Sequence, residues 1–185
     1  MNWPNLVTFS RLALAVPCLA LLERPGSEAW ALGLFVVASL TDWVDGYLAR
    51  RLNQTTELGQ LMDPLVDKLL VTGALVALTA RGIVPAWSVT AILFREFLVT
   101  GLRALEAARG VIVPAGWLGK VKAAVQMVAI IALIGCLDGT GRALRPDALA
   151  SVAMAGYWLA VVLTVASGLQ YGWAARRLLK VPAGS

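Results

Sequence analysis

Histidine is absent from this chain, and its two cysteines, Cys18 and Cys136, lie far apart with no CxxC pair. The first absence excludes histidine-ligated zinc, histidine-held haem, and Ser-His or Cys-His catalysis. The second leaves the cysteines as small hydrophobes buried in apolar runs. Charge is scarce: 15% of residues are Asp, Glu, Lys or Arg, against 59% hydrophobic and a mean hydropathy of +0.75. Soluble domains hold about 45–50% apolar residues, so this composition is that of a membrane protein. No run of Lys and Arg interleaved with aromatics is present, so no nucleic acid partner is expected. No basic segment precedes the first apolar run, which argues against a cleaved signal peptide. No repeat or low-complexity tract stands out. The chemistry must run on carboxylates, lysine, arginine and any bound metal.

What is present is a series of apolar stretches. A helix needs about 20 mostly apolar residues to cross a bilayer. The 185 residues fit a single domain, 1–185, of all-α class: a polytopic membrane protein with six transmembrane helices. The spans fall at 6–22, 30–48, 61–80, 87–105, 119–137 and 148–168. Pro25 and Gly26 mark a turn after the first, and 81–87 and 138–147 are further turns. The polar run 50–60 reads as a surface loop or as helix extended beyond the bilayer. Pro64 suits a first helical turn, with Asp63 as its cap or a kink point.

Six spans put both termini on one side. That side collects Arg50, Arg51, Arg103, Arg109, Lys120, Lys122, Arg176, Arg177 and Lys180, against Arg24, Arg81, Arg142 and Arg145 opposite. Positive charge concentrates on the cytoplasmic side, so both termini are expected there. Trp30 and Trp87 near one face, and Trp117 and Trp173 near the other, fit interfacial belts.

Four aspartates break the apolar pattern between residues 42 and 67. Asp42 and Asp45 are three apart, and Asp63 and Asp67 four apart, so each pair shares one face of a helix. At bilayer depth each carboxylate would cost about 2.5–3.5 kcal/mol on insertion scales. Hard divalent cations with oxygen ligands supply the missing counter-charge most directly. Gly46 and Gly59 sit beside the carboxylates, where a glycine lets a ligand approach the backbone. Arg50 offers a planar fork suited to phosphate oxygens.

Other charges are more ambiguous. Arg95 and Glu96 lie within the fourth span; neighbours on a helix point about 100° apart, so each is expected to pair with a charge on another helix. Lys120 and Lys122 begin the fifth span, where snorkelling to the interface is the ordinary explanation. Asn5, Thr8 and Arg11 share a face, as a polar stripe at the membrane surface would.

Written out, Asp42-x2-Asp45-Gly46-x2-Ala49-Arg50-x8-Gly59-x3-Asp63-x3-Asp67 resembles the signature of the CDP-alcohol phosphotransferases without gap or substitution. The resemblance implies a six-span enzyme that passes a substituted phosphate from a CDP-linked donor to an alcohol and releases CMP. It implies that Asp42, Asp45, Asp63 and Asp67 hold two divalent cations, Mg²⁺ or Mn²⁺, with Asp67 also the general base. It places Asn5, Gly46, Arg50 and Gly59 with the CDP-bearing donor, and it implies a homodimer. The segments PNLVTFSRL, FREFLVTGLRALEAARG and WLGKVKAAVQMVAI further resemble one bacterial branch, whose donor is CDP-diacylglycerol and whose acceptor is glycerol 3-phosphate. Ala123 departs from the threonine common there. The implied location is the bacterial inner membrane, with the site facing the cytoplasm.

The acceptor has a physical reading of its own. Arg103, Lys120 and Lys122 lie at the cytoplasmic ends of spans four and five and could receive a phosphorylated acceptor. They do not separate glycerol 3-phosphate from inositol phosphate; only the resemblance does. Serine or phosphatidylglycerol as acceptor remain alternatives within the same chemistry. A cation transporter is the rival from another class, although transporter sites favour mid-bilayer breaks in helices. A purely structural membrane protein is the bland alternative.

Overall fold

A computed structural model describes residues 3–52, 57–108, 117–140 and 143–175, with side chains described for 13–41, 68–106, 117–140 and 143–173. These residues form six helices: α1 (Trp3–Leu22), α2 (Glu28–Leu52), α3 (Glu57–Ala80), α4 (Ala86–Ala108), α5 (Trp117–Gly135) and α6 (Ala148–Ala175). Among the described residues there is no strand, only an isolated bridge between Leu137 and Leu144. α5 and α6 are long and apolar enough to cross a membrane. Shorter apolar stretches run over Ala13–Leu22, Glu28–Thr41 and Lys68–Ala80.

The turns between helices are built by local chemistry. α3 ends at Gly82, whose φ of 74° few other residues adopt without strain. Its N–H reaches Thr79 O at 2.9 Å and the Ile83 N–H reaches Leu78 O at 3.0 Å, the paired bonds of a Schellman cap. Gly26, φ 84°, serves the α1–α2 turn. Arg81 ties these two turns together: it pairs with Glu28 at 3.3 Å and donates to Arg24 O at 3.2 Å. Beyond α5, Arg145 N–H donates to Cys136 O at 2.8 Å. Asp147 then caps α6 by accepting from Ala150 N–H at 2.8 Å.

These three turns lie at one end of the bundle. Ser88, at the start of α4, bonds Tyr157 near the start of α6 at 2.5 Å, and Trp87 stacks with Trp158 at 5.6 Å between centroids. Successive helices therefore run up and down, so α1 begins and α6 finishes at the opposite end.

The core fills the turn end. Cys18 and Leu22 of α1, Phe35 of α2, Leu75 and Leu78 of α3, Leu133 and Ile134 of α5 and Tyr157 of α6 are all buried. α1 packs against α2 and α3, α5 against α6 and α2, and α4 against α6 and α3. Gly73 lets α1 close on α3: a Cβ there would stand 2.4 Å from Leu19 Cδ1. Both cysteines are free and buried, as expected of small hydrophobes. Trp30, Trp87, Trp117 and Trp173 are exposed.

One expectation is corrected. The helix that carries Asp63 begins at Glu57, so Asp63 and Pro64 lie inside α3 rather than at its first turn, and Asp63 is not its cap. The reason is that Glu57–Met62 continues the helix instead of forming loop. Of the two readings of the polar stretch 50–60, helical extension holds for its first part, since α2 runs through Leu52.

Candidate functional site

At the end away from the core the helices separate around a cavity of about 710 Å³. Its walls come from α2, α3, α4 and α5, and its polar lining includes Lys68, Arg95, Glu96, Arg103, Lys120 and Lys122. The three residues expected to receive an acceptor phosphate, Arg103, Lys120 and Lys122, thus line one space. Five cations and one carboxylate among the described lining residues give it a strongly positive character.

The charges are organised from α4. Glu96 accepts from Arg95 Nη1 at 3.0 Å and also pairs with Lys122 across to α5. The expectation that adjacent Arg95 and Glu96 would not pair is therefore wrong. Their Cβ directions diverge, but the arginine stem is long and has room to fold back. That room comes from Gly168, where a Cβ would stand 2.9 Å from Arg95 Cγ. The second expectation, that Glu96 pairs with a neighbouring helix, holds through Lys122.

Lys120 and Lys122 also prove different from each other. Lys120 is exposed, as a snorkelling lysine would be. Lys122 is 4% exposed and ion-paired, so snorkelling does not describe it. Lys68 of α3 donates to Thr100 of α4, whose hydroxyl in turn donates to Glu96 O at 2.7 Å. Ser39 of α2 donates to Met127 Sδ of α5 at 3.3 Å, which closes the deep side.

Arg103 is held from outside the cavity. Its Nε donates to Tyr171 Oη at 3.2 Å, and its guanidinium lies 5.3 Å from the Tyr171 ring centroid. The Tyr171 hydroxyl donates onward to Glu106 at 3.1 Å, and Glu106 is buried. Sequence reasoning missed Tyr171, Glu106, Thr100, Lys68 and Gln126. Two signals were available: Lys68 directly follows Asp67, and Gln126 is a polar residue one turn after Lys122 in an apolar span. Tyr171 gives no comparable signal.

The aspartates occupy helical positions. Asp42 and Asp45 belong to α2, and Asp63 and Asp67 to α3, so each pair does share a helix face. The side chains of Asp42, Asp45, Gly46, Arg50, Gly59, Asp63, Asp67 and Asn5 lie outside the described set. Their backbone register still relates them to the cavity. Ser39, which lines it, is one turn before Asp42, and Lys68, which also lines it, follows Asp67. Among the side chains described, no group of three acidic, cysteine or histidine residues clusters as a metal site.

The family model for CDP-alcohol phosphatidyltransferase matches residues 1–166. A Bacillus subtilis protein named CDP-diacylglycerol–glycerol-3-phosphate 3-phosphatidyltransferase is 41% identical over 184 residues, covering 92% of this chain and 93% of its own length. A Rickettsia bellii protein of the same name is 36% identical over 173 residues, with 92% and 93% covered. A Mycobacterium tuberculosis protein named probable phosphatidylglycerophosphate synthase is 40% identical over 177 residues, covering 92% of this chain and 79% of its own. With a family match that spans most of its length, beginning before the first aspartate pair and ending within α6, this chain belongs to the CDP-alcohol phosphatidyltransferase family.

Proposed function

We propose that this protein transfers the phosphatidyl group from CDP-diacylglycerol to the 1-hydroxyl of glycerol 3-phosphate, giving phosphatidylglycerophosphate and CMP. One observation carries the reading: the complete aspartate signature spans α2 and α3, and its register abuts a cavity lined by five cations. The near full-length relatives bearing that enzyme name support it.

The donor set fits a hard cation. It is all carboxylate, in a chain without histidine. Asp42, Asp45, Asp63 and Asp67 would hold two divalent cations, Mg²⁺ or Mn²⁺, which when bound supply charge neutralisation to the transferring phosphate. Gly46 and Gly59 leave space for the cytidine diphosphate, with Arg50 and Asn5 beside it. Asp67 accepts the proton of the acceptor hydroxyl. The hydroxyl oxygen forms a bond to the phosphorus that bears diacylglycerol, the bond from that phosphorus to the CMP oxygen breaks, and CMP leaves. Arg103 and Lys120 meet the acceptor phosphate at the open side, and Lys122, steadied by Glu96, meets it deeper. Arginine suits a phosphate dianion by its bidentate geometry.

The same reading makes all six helices of this single domain transmembrane, in a bacterial inner membrane with the site and both termini cytoplasmic. The protein acts as a homodimer. The test is CMP release by purified protein with CDP-diacylglycerol, Mg²⁺ and, in parallel, glycerol 3-phosphate, inositol phosphate, serine or phosphatidylglycerol. Release confined to glycerol 3-phosphate is expected. Asp67→Asn should lower the rate by about 10²–10⁴-fold, the usual contribution of a general base. An unchanged rate would remove Asp67 from that role.

A further inference from the structure

Lys68 opens the apolar stretch Lys68–Ala80 of α3. A lysine at such a place ordinarily runs its stem along the helix and carries its ammonium out to the interface. Here the ammonium turns across the helix seam instead. Lys68 is half-buried, lines the cavity, and donates to the Thr100 hydroxyl of α4.

Thr100 is set up to receive it. Its own proton goes to Glu96 O at 2.7 Å, one turn back on α4. A hydroxyl has one proton and two lone pairs, so this bond leaves the oxygen as an acceptor. The contact fixes the direction of the Lys68 ammonium without neutralising it, because a hydroxyl carries no charge. Thr100 is also half-buried and also lines the cavity, so both ends of the contact belong to its wall.

The place matters as much as the contact. Lys68 directly follows Asp67, so the two share one turn of α3. On α4, Thr100 stands one turn from Glu96, which binds Arg95 and Lys122, and three residues from Arg103. Residues three and four apart on a helix are surface neighbours. The ammonium is thus held where the aspartate helix meets the helix that carries Arg103. A lysine held in this way is a point-charge binder of phosphate oxygens.

We infer that Lys68 is a phosphate-binding residue of the transfer site, and that Thr100 is the positioning residue that aims it. This rests on the phosphatidyl-transfer reading above. Two sources bring phosphate to the site: the acceptor's monoester and the donor's diphosphate. Both present the anionic oxygens that an ammonium binds, and the experiment separates them.

Initial rates of CMP release by purified protein in mixed micelles with Mg²⁺ give kcat and the KM of each substrate. Lys68→Met should raise one KM by at least about tenfold, as loss of a charge-assisted hydrogen bond does, and leave the other within about twofold. A rise for glycerol 3-phosphate assigns Lys68 to the acceptor's phosphate; a rise for CDP-diacylglycerol assigns it to the donor's. Thr100→Val, close in shape and without the hydroxyl, should raise the same KM by about 2–10-fold, and Thr100→Ser should restore it. This pair also carries the test if Lys68→Met fails to fold. Unchanged KM values in Lys68→Met, or an equal rise in both with a lower kcat, would reduce Lys68 to a strut between helices and overturn the inference. Equal effects of Thr100→Val and Thr100→Ser would remove Thr100 from its positioning role. Failure of the wild-type protein to release CMP would instead sink the phosphatidyl-transfer reading itself.

Discussion

Replacing Glu96 by glutamine keeps the shape of the side chain and removes only its charge. In the structure that charge serves two cations at once, Arg95 at 3.0 Å and Lys122 across the helix interface. Removing one partner from a buried ion pair typically costs about 3–5 kcal/mol, because the remaining charge stays buried without compensation. The Glu96 side chain is 22% exposed, which draws the expected loss towards the lower figure, about 3 kcal/mol. Lys122→Met is milder. It leaves Glu96 with Arg95, so the loss is closer to one charge-assisted hydrogen bond, about 1.5–3 kcal/mol. Combining the two removes the stranded lysine, so the double variant should be more stable than the sum of the single losses implies. The coupling should exceed about 1 kcal/mol. Unfolding free energies in mixed micelles give all four corners of the cycle. Additive losses, or a Glu96→Gln variant no less stable than Lys122→Met, would refute the shared-anion arrangement.

Two further outcomes follow from single contacts. Tyr171→Phe keeps the ring beneath Arg103 but removes the 3.2 Å bond from Nε and the 3.1 Å bond to Glu106. If Arg103 meets the acceptor phosphate, KM for glycerol 3-phosphate should rise about 2–10-fold, the range for one hydrogen bond to an exposed side chain, with KM for CDP-diacylglycerol unchanged. An equal rise in both would show that Tyr171 only supports the fold. Asp147→Ala removes the acceptor for Ala150 N–H and should lower stability by about 1 kcal/mol, with Asp147→Asn retaining most of it and with both KM values untouched.

Hydropathy made the helices legible. Each expected span falls within one of α1–α6, apart from the last two residues of the fifth, and the turns at Gly26 and Gly82 sit where the sequence punctuates. The aspartate pairs were legible as shared faces because three- and four-residue spacings survive in any continuous helix. The interior of the cavity was not. The pairing of Arg95 with Glu96 depends on the glycine at 168, which lies on another helix and far away in sequence. The burial of Lys122 depends on Glu96 reaching it from α4. Position along a span predicts depth, but it does not say which neighbour a side chain meets. The missing start of α3 has a simpler cause: Pro64 resembles a helix beginning, and the polar residues before it disguise two further turns.

The bundle divides its two tasks by end. At the turn end, capping bonds and the Arg81–Glu28 pair fix three connections, and the large buried side chains lie there. Packing of this kind gives the cooperative part of the stability. At the other end, α4 spends its inward face on Arg95, Glu96 and Arg103 rather than on apolar contacts, and a cavity of about 710 Å³ opens. A charged cavity of that size would be costly in the middle of a bilayer. With the membrane placement proposed above, a cavity at one end of the bundle would be open to water-soluble molecules while the apolar helices around it met lipid. For a transferase that joins a lipid-anchored donor to a soluble phosphorylated acceptor, both directions of access are required. Under the proposed function, Arg103, Lys120 and Lys122 among the lining cations would meet the acceptor's phosphate there. The same asymmetry explains why α4 carries so many polar residues without losing its place in the fold: α6 and α3 hold it, and its polar residues pair with each other and with α3, α5 and α6.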